Sequence, residues 1–205
     1  MSKDYSQPAS DESVAATKQA LESNGFNVEI VDTLSAAHDK VLELIPAGSD
    51  VFTGTSVTLT KTGLDKALNE SSTYASARGK FMALYGQKDK AIEMRQLGSA
   101  SDYAVGSVHA ITEDGQVVIA SASGSQLPNY VYGANHVIWV VGSQKVTKDL
   151  TEAMDRLETY TFPLEDARAL KAYGAHSLIS KVLLYKKEPG AGRITIVIIK
   201  EAVGF

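Results

Sequence analysis

The feature that most constrains this fold is the order of apolar runs and turn signals in the first third of the chain, which reads as two successive strand–helix steps. Residues 26–31 are strand-like, and Ser35 can cap a helix carrying Ala37, Val41, Leu44 and Ile45 that Pro46 and Gly48 stop. Residues 50–53 read as a buried strand, followed by Gly54-Thr55-Ser56 and a helix near residues 59–68. Such alternation favours a parallel sheet with right-handed crossovers and helices on both faces. The expected central, mainly parallel sheet contains residues 26–31, 50–53, 103–105, 116–120 and 137–141.

The rest of the chain fits the same class. Val14, Lys18 and Leu21 begin a helical pattern that Asn24-Gly25 ends. Residues 69–79, rich in Ser, Thr and Gly, read as a loop, residues 80–97 as a helix interrupted near Gly86, and residues 149–158 as a helix. Pro163 suits the first turn of a helix that Gly174 ends. Residues 178–185 and 194–199 flank a segment marked by Pro189-Gly190 and Gly192, the pattern of a terminal hairpin. One domain, residues 1–205, is expected, with residues 1–12 frayed.

Composition narrows the function. At 205 residues and 44% hydrophobic, the chain can bury about 70% of its unfolded surface and hold a core without metal or staples. Its net charge of −4, from 24 acidic and 20 basic residues spread along the chain, argues against nucleic acid as a partner. With no cysteine, disulfides, thiolate catalysis and a Cys-ligated iron–sulfur cluster are excluded for this chain. The four histidines lack metal-ligand spacing, so no metal and no cofactor are expected. The longest apolar runs fall far short of the ~20 residues that cross a bilayer, and the first residues have no signal-peptide core; a cytoplasmic protein is expected.

Three polar stretches at strand ends carry the candidate site. Thr53-Gly54-Thr55-Ser56, between a strand and a helix, can offer backbone N–H groups and hydroxyls to a phosphate or carboxylate, or can serve only as a tight turn with Ser56 or Thr58 as N-cap. Gly106 and Ser107 follow a second apolar run, and Glu113 stands in Thr112-Glu113-Asp114-Gly115, either a strand-end carboxylate nucleophile or a solvated turn. Gly124 and Ser125 lie in a polar loop after residues 116–120. Loops after neighbouring parallel strands share one sheet edge, so these residues are expected around one cleft. Glu113 is the catalytic candidate; Gly54, Thr55, Ser56, Gly106, Ser107, Gly124 and Ser125 are the ligand-binding candidates. Tyr130, Tyr132 and Trp139 read as core or interface.

Four strings in register, residues 50–59, 100–115, 137–142 and 192–205, resemble the LUD-domain (lactate-utilisation) family over residues 14–205. The resemblance implies a three-layer α/β sandwich related to ribose phosphate isomerase and the CoA transferases, a bacterial or archaeal source, and partners that oxidise lactate with iron–sulfur clusters. Glu113 is similarly placed to the acyl-attacking glutamate of the CoA transferases. Departures are visible: Gly54-Thr55-Ser56 stands where relatives often have Gly-Gly-Ser, and residues 169–180 hold no cysteine cluster. The aspartate that the isomerases place near residues 106–109 is absent.

Two functional readings follow. One is a non-redox accessory component of lactate utilisation that binds a small anionic metabolite or a partner. The other is a stand-alone enzyme of acyl-transfer or sugar-phosphate type.

Overall fold

The computed structural model describes residues 3–205. Its main sheet has six strands, numbered in chain order and lying side by side as β1 (Asn27–Val31), β10 (Ile194–Ile199), β7 (Ala134–Gly142), β4 (Ser101–Gly106), β2 (Asp50–Thr53) and β3 (Ala75–Ser76). Every neighbouring pair is parallel. A sheet covered on both faces needs near-continuous apolar strands, and the central ones supply them. Val137, Trp139, Val141, Ile194, Ile196 and Ile198 pack on one face, while Ile138, Val140, Val197 and Ile199 pack on the other.

Helices α2 (Leu34–Leu44), α3 (Val57–Thr62) and α4 (Leu64–Asn69) cover the second of these faces through Ala37, Val41, Leu59, Leu64 and Leu68. The other face is covered by α1 (Asp11–Ser23), through Val14 and Leu21, together with a second sheet. That sheet runs β8 (Val146–Thr147), β5 (Ala110–Thr112), β6 (Val117–Ser121) and β9 (Lys181–Tyr185). Ile111, Val117 and Ile119 face the main core, and Ala110, Val118 and Ala120 face Ala153 and Leu157 on the far side. Ala153 belongs to α7 (Leu150–Arg156), and Leu157 opens a π-helical turn (Leu157–Thr161) that leads into α8 (Phe162–Tyr173). Short helices α5 (Ala77–Ala83) and α6 (Ala91–Leu97) lie between β3 and β4. The architecture is thus the layered α/β fold with a parallel central sheet, one cover being shared by a helix and a small sheet.

Several local expectations are corrected. Residues 117–121 do not join the central sheet: Gly115, at φ +82°, turns the chain directly back so that Ile111 pairs antiparallel with Val117, whereas a parallel neighbour needs a long crossover. The terminal segments form no hairpin. β9 pairs antiparallel with β6, while β10 inserts in parallel between β1 and β7, because a run apolar on both faces is stable only where both faces are covered. The helix expected over 59–68 breaks at Gly63, whose φ of +76° ends α3. Thr33, not Ser35, caps α2 by accepting the Ala36 N–H. The presumed loop at 69–79 contains β3 and the start of α5.

Within residues 3–10, expected to fray, Lys3 and Tyr5 reach α7. Tyr5 is buried, donates to Asp155 Oδ2 at 2.7 Å and faces the ring of Tyr160 at 6.1 Å. Ser10 then caps α1 by accepting the Ser13 N–H. Met1 and Ser2, also expected to fray, lie outside the described residues.

Candidate functional site

The C-terminal ends of β2, β4 and β7 deliver three polar segments to one edge of the parallel sheet: Gly54-Thr55-Ser56, Gly106-Ser107-Val108 and Ser143-Gln144-Lys145. Lys145 joins them from below. It is 1% exposed, and its ammonium donates to Ser107 Oγ (3.0 Å), Val108 O (3.0 Å) and Thr58 Oγ1 (3.3 Å). Three donors thus meet three acceptors, none of them a carboxylate. Burial, and secondarily the Arg156 guanidinium, hold this amine well below the usual lysine range.

Arg156 is fully buried without an ion-pair partner among the described residues. Its Nη1 donates to His109 O and to Thr161 Oγ1, and burial lowers it to about 10. His109 Nδ1 accepts the Ala120 N–H at 3.0 Å, which leaves the ring proton on Nε2. Burial, Lys145 and Arg156 push this histidine down to about 3, so the ring is neutral.

A second cation reaches the first loop from α5. Arg78 donates through Nη1 to Thr53 O and through Nη2 to Thr55 Oγ1, both at 2.9 Å, and has no carboxylate in ion-pair range among the described residues. Burial lowers it, yet a guanidinium stays charged. Ser56 takes the capping role left open by the sequence: its hydroxyl accepts the Leu59 N–H at 3.3 Å and starts α3, a helix of only six residues.

From the β4 side the loop meets Tyr130, which sits in the π-helical turn Asn129–Gly133 with its ring edge-on to Trp139 at 5.6 Å. Its hydroxyl stands 1.7 Å from where a Cβ on Gly106 would lie and 3.5 Å from that position on Gly54. Gln126 Cβ also reaches Gly54, at 3.8 Å, so the loop after β6 borders the same edge. Within that loop Gly124 N–H donates to Ser121 Oγ at 2.8 Å beneath the Lys181 chain, and Ser125 N–H donates to Ser123 Oγ at 3.3 Å.

Of the residues singled out in the sequence, Gly54, Thr55, Ser56, Gly106 and Ser107 come together, and Gly124 and Ser125 lie on a bordering loop. Glu113 has other neighbours. Its carboxylate accepts from Ser13, its N–H donates to Thr147 O at 2.9 Å, and it lines a separate cavity of about 500 Å³ with Lys3, Tyr5, Gln144 and Glu152. Ser13 and Thr147 are the polar partners that hold it there. Among the described residues no three His, Asp or Glu side chains converge as a metal-ligand set.

Sequence reasoning missed Lys145, Arg78 and Tyr130. Ser143-Gln144-Lys145 follows an apolar strand as Gly54-Thr55-Ser56 does, and that signal was available. Arg78 is 25 positions from Thr53, and nothing local marks it. Tyr130 reads in the sequence as core or interface, and its ring is core, but the position of its hydroxyl is a tertiary fact.

No curated protein matches this sequence. Among solved structures, a DUF162 family protein from Deinococcus radiodurans is similar over 94% of this chain and 99% of its own, at 11% identity and a TM-score of 0.54. Ribose 5-phosphate isomerase from Plasmodium falciparum aligns with 65% of this chain and 68% of its own, at 14% identity and a TM-score of 0.36. The first likeness concerns the fold. The LUD domain profile matches residues 14–199, nearly the whole of the sheet and the edge described above, and the chain therefore belongs to the LUD domain family.

Proposed function

We propose that the protein binds a small anionic metabolite, a carboxylate or a phosphate, at the sheet edge formed by residues 54–58 and 106–108, and acts as a non-redox accessory component of lactate utilisation. The observation that carries the reading is the Arg78 guanidinium, bonded to Thr53 O and Thr55 Oγ1 at this edge with no carboxylate in ion-pair range among the described residues. In a chain of net charge −4, with 24 acidic residues, a partly buried guanidinium without an ion pair among the described residues is a costly arrangement that an anion relieves. Arg78 has N–H groups left after its two protein bonds, in the fork geometry that suits carboxylate and phosphate. Lys145, saturated by protein oxygens, holds Ser107 and Thr58 in place.

The acyl-transfer alternative requires Glu113 at this edge, and Glu113 is bonded to Ser13 instead. Partner subunits bearing iron–sulfur clusters belong to the same proposal: a chain without cysteine leaves the electron transfer to others. Calorimetric or NMR titration with inorganic phosphate and with acetate, at low and at moderate salt, tests the binding. The expected result is saturable binding weakened at least tenfold by Arg78→Ala and unchanged by Lys90→Ala, which alters an exposed pair with Glu93. Equal binding by all three proteins, or none by any, overturns it.

A further inference from the structure

We infer that the Tyr130 hydroxyl is the specificity-determining donor of this edge, and that the ligand it selects is a short acid carrying a second oxygen beyond its carboxylate. This rests on the anion-binding reading above and goes further in naming what discriminates between anions.

Tyr130 is 2% exposed, so nearly all of its ring is core. Among the described residues three buried polar atoms lack any partner and are sealed from solvent: Gln116 Oε1, Trp139 Nε1 and Arg156 Nη2. The Tyr130 hydroxyl differs from them. It makes no hydrogen bond to a described residue either, yet it is not among the sealed atoms. The tip is aimed between the ends of β2 and β4, at Gly54 and Gly106.

Packing does not require the oxygen. The ring contacts Trp139 edge-on, and phenylalanine keeps that contact. The oxygen instead makes a demand on its surroundings, since it takes the space of a side chain at position 106 and leaves glycine there. A donor held in the core without a partner is unfavourable relative to a satisfied one. Burial raises the phenol above its ordinary value, so at neutral pH the group is an O–H and donates.

Direction supplies the rest. Arg78 approaches the loop through Thr53 and Thr55 from the β3 side, and Tyr130 approaches Gly54 from the β4 side. A carboxylate held by Arg78 therefore leaves the Tyr130 donor facing the remainder of the ligand. Only a molecule with another acceptor there satisfies it. A site built to hydrogen-bond a ligand oxygen rejects the analogue that lacks it far more strongly than an apolar pocket rejects a change of one methylene.

NMR titration with two matched pairs of acids, acetate against glycolate and propionate against 3-hydroxypropionate, tests the assignment on the full-length wild type, Tyr130→Phe and Arg78→Ala. The wild type is expected to bind at least one hydroxylated acid fivefold or more tightly than its parent. Tyr130→Phe should abolish that preference while leaving affinity for the parent acid unchanged, a selective loss that a merely structural role does not produce. Arg78→Ala should weaken both members of the pair by the same factor. A preference that survives in Tyr130→Phe, or a wild type that binds parent and hydroxylated acids alike, overturns the assignment while the anion site stands. Failure of every acid and of inorganic phosphate to bind the wild type overturns both. Gly106→Ala, which displaces the hydroxyl, provides a second route and should lose the same preference.

Discussion

The phenol oxygen of Tyr130 occupies the space a side chain on Gly106 would need, 1.7 Å from the Cβ position, with the ring carbon behind it at 2.9 Å. Strand β4 can therefore end in glycine alone as long as Tyr130 keeps its place. Gly106→Ala should destabilise the protein by about 1–3 kcal/mol, the usual cost of overpacking a filled core. Urea denaturation of Gly106→Ala, Tyr130→Phe and the double variant checks it: the double variant should recover a large part of the loss, because the closest clashing atom is gone. Strict additivity of the two effects is the contrary result.

The turn carrying Tyr130 is clamped by Arg193, which donates to Asn129 O at 3.1 Å, Tyr130 O at 3.0 Å and Ala134 O at 3.1 Å and pairs with the buried Glu188 at 2.9 Å. Arg193→Met leaves an uncompensated carboxylate and three carbonyls without their donor. A loss of about 3–5 kcal/mol is expected, as when one partner of a buried pair is removed. Adding Glu188→Gln should restore part of it, which thermal unfolding of the pair of variants will show.

His109 links stability to pH. Its native value lies near 3, far below the ordinary 6.5, because of burial and the cations Lys145 and Arg156. The unfolded chain therefore takes up this proton first as pH falls below about 6.5. Stability from this residue is complete above pH 7 and drains away between roughly 6.5 and 3, on the order of a few kcal/mol in all. His109→Gln can keep an acceptor for the Ala120 N–H without titrating. Its unfolding free energy should fall less steeply than that of wild type between pH 6.5 and 4; parallel curves would show that the histidine does not contribute.

The N-terminal segment contributes to the fold. Tyr5→Phe loses the bond to Asp155 and should cost about 1 kcal/mol. Tyr5→Ala, which also removes the ring beside Tyr160 and Arg156, should cost about 3–5 kcal/mol. If both variants melt with wild type, the segment is decoration.

What could be read in the sequence was local in origin. The steps through β1, α2 and β2 were visible because hydrophobic period, turn residues and stop signals agreed within a few positions. Gly54-Thr55-Ser56 and Gly106-Ser107 were found for the same reason. Pairing was not legible: residues 117–121 and 194–199 are both short β-branched runs, and only the competition for covered positions sends one to a small flanking sheet and the other to the middle of the large one. The site split along the same line. Backbone loops at strand ends announce themselves, whereas Arg78 and Tyr130 arrive from α5 and a π-helical turn, and Glu113 is drawn to Ser13 by contacts across 100 positions.

The middle position of β10 has a consequence for biosynthesis. Of the strands in the parallel sheet, it is the last to be synthesised, yet β1 and β7, made earlier, have no contact in that sheet except through it. Until residues 194–199 have left the ribosome, the nascent chain carries two open strand edges with a gap between them, the state most exposed to wrong pairing. A ribosome-stalled chain ending just before residue 194 should therefore be protease-sensitive throughout β1 and α1, and become resistant only once the last strand slides into its slot.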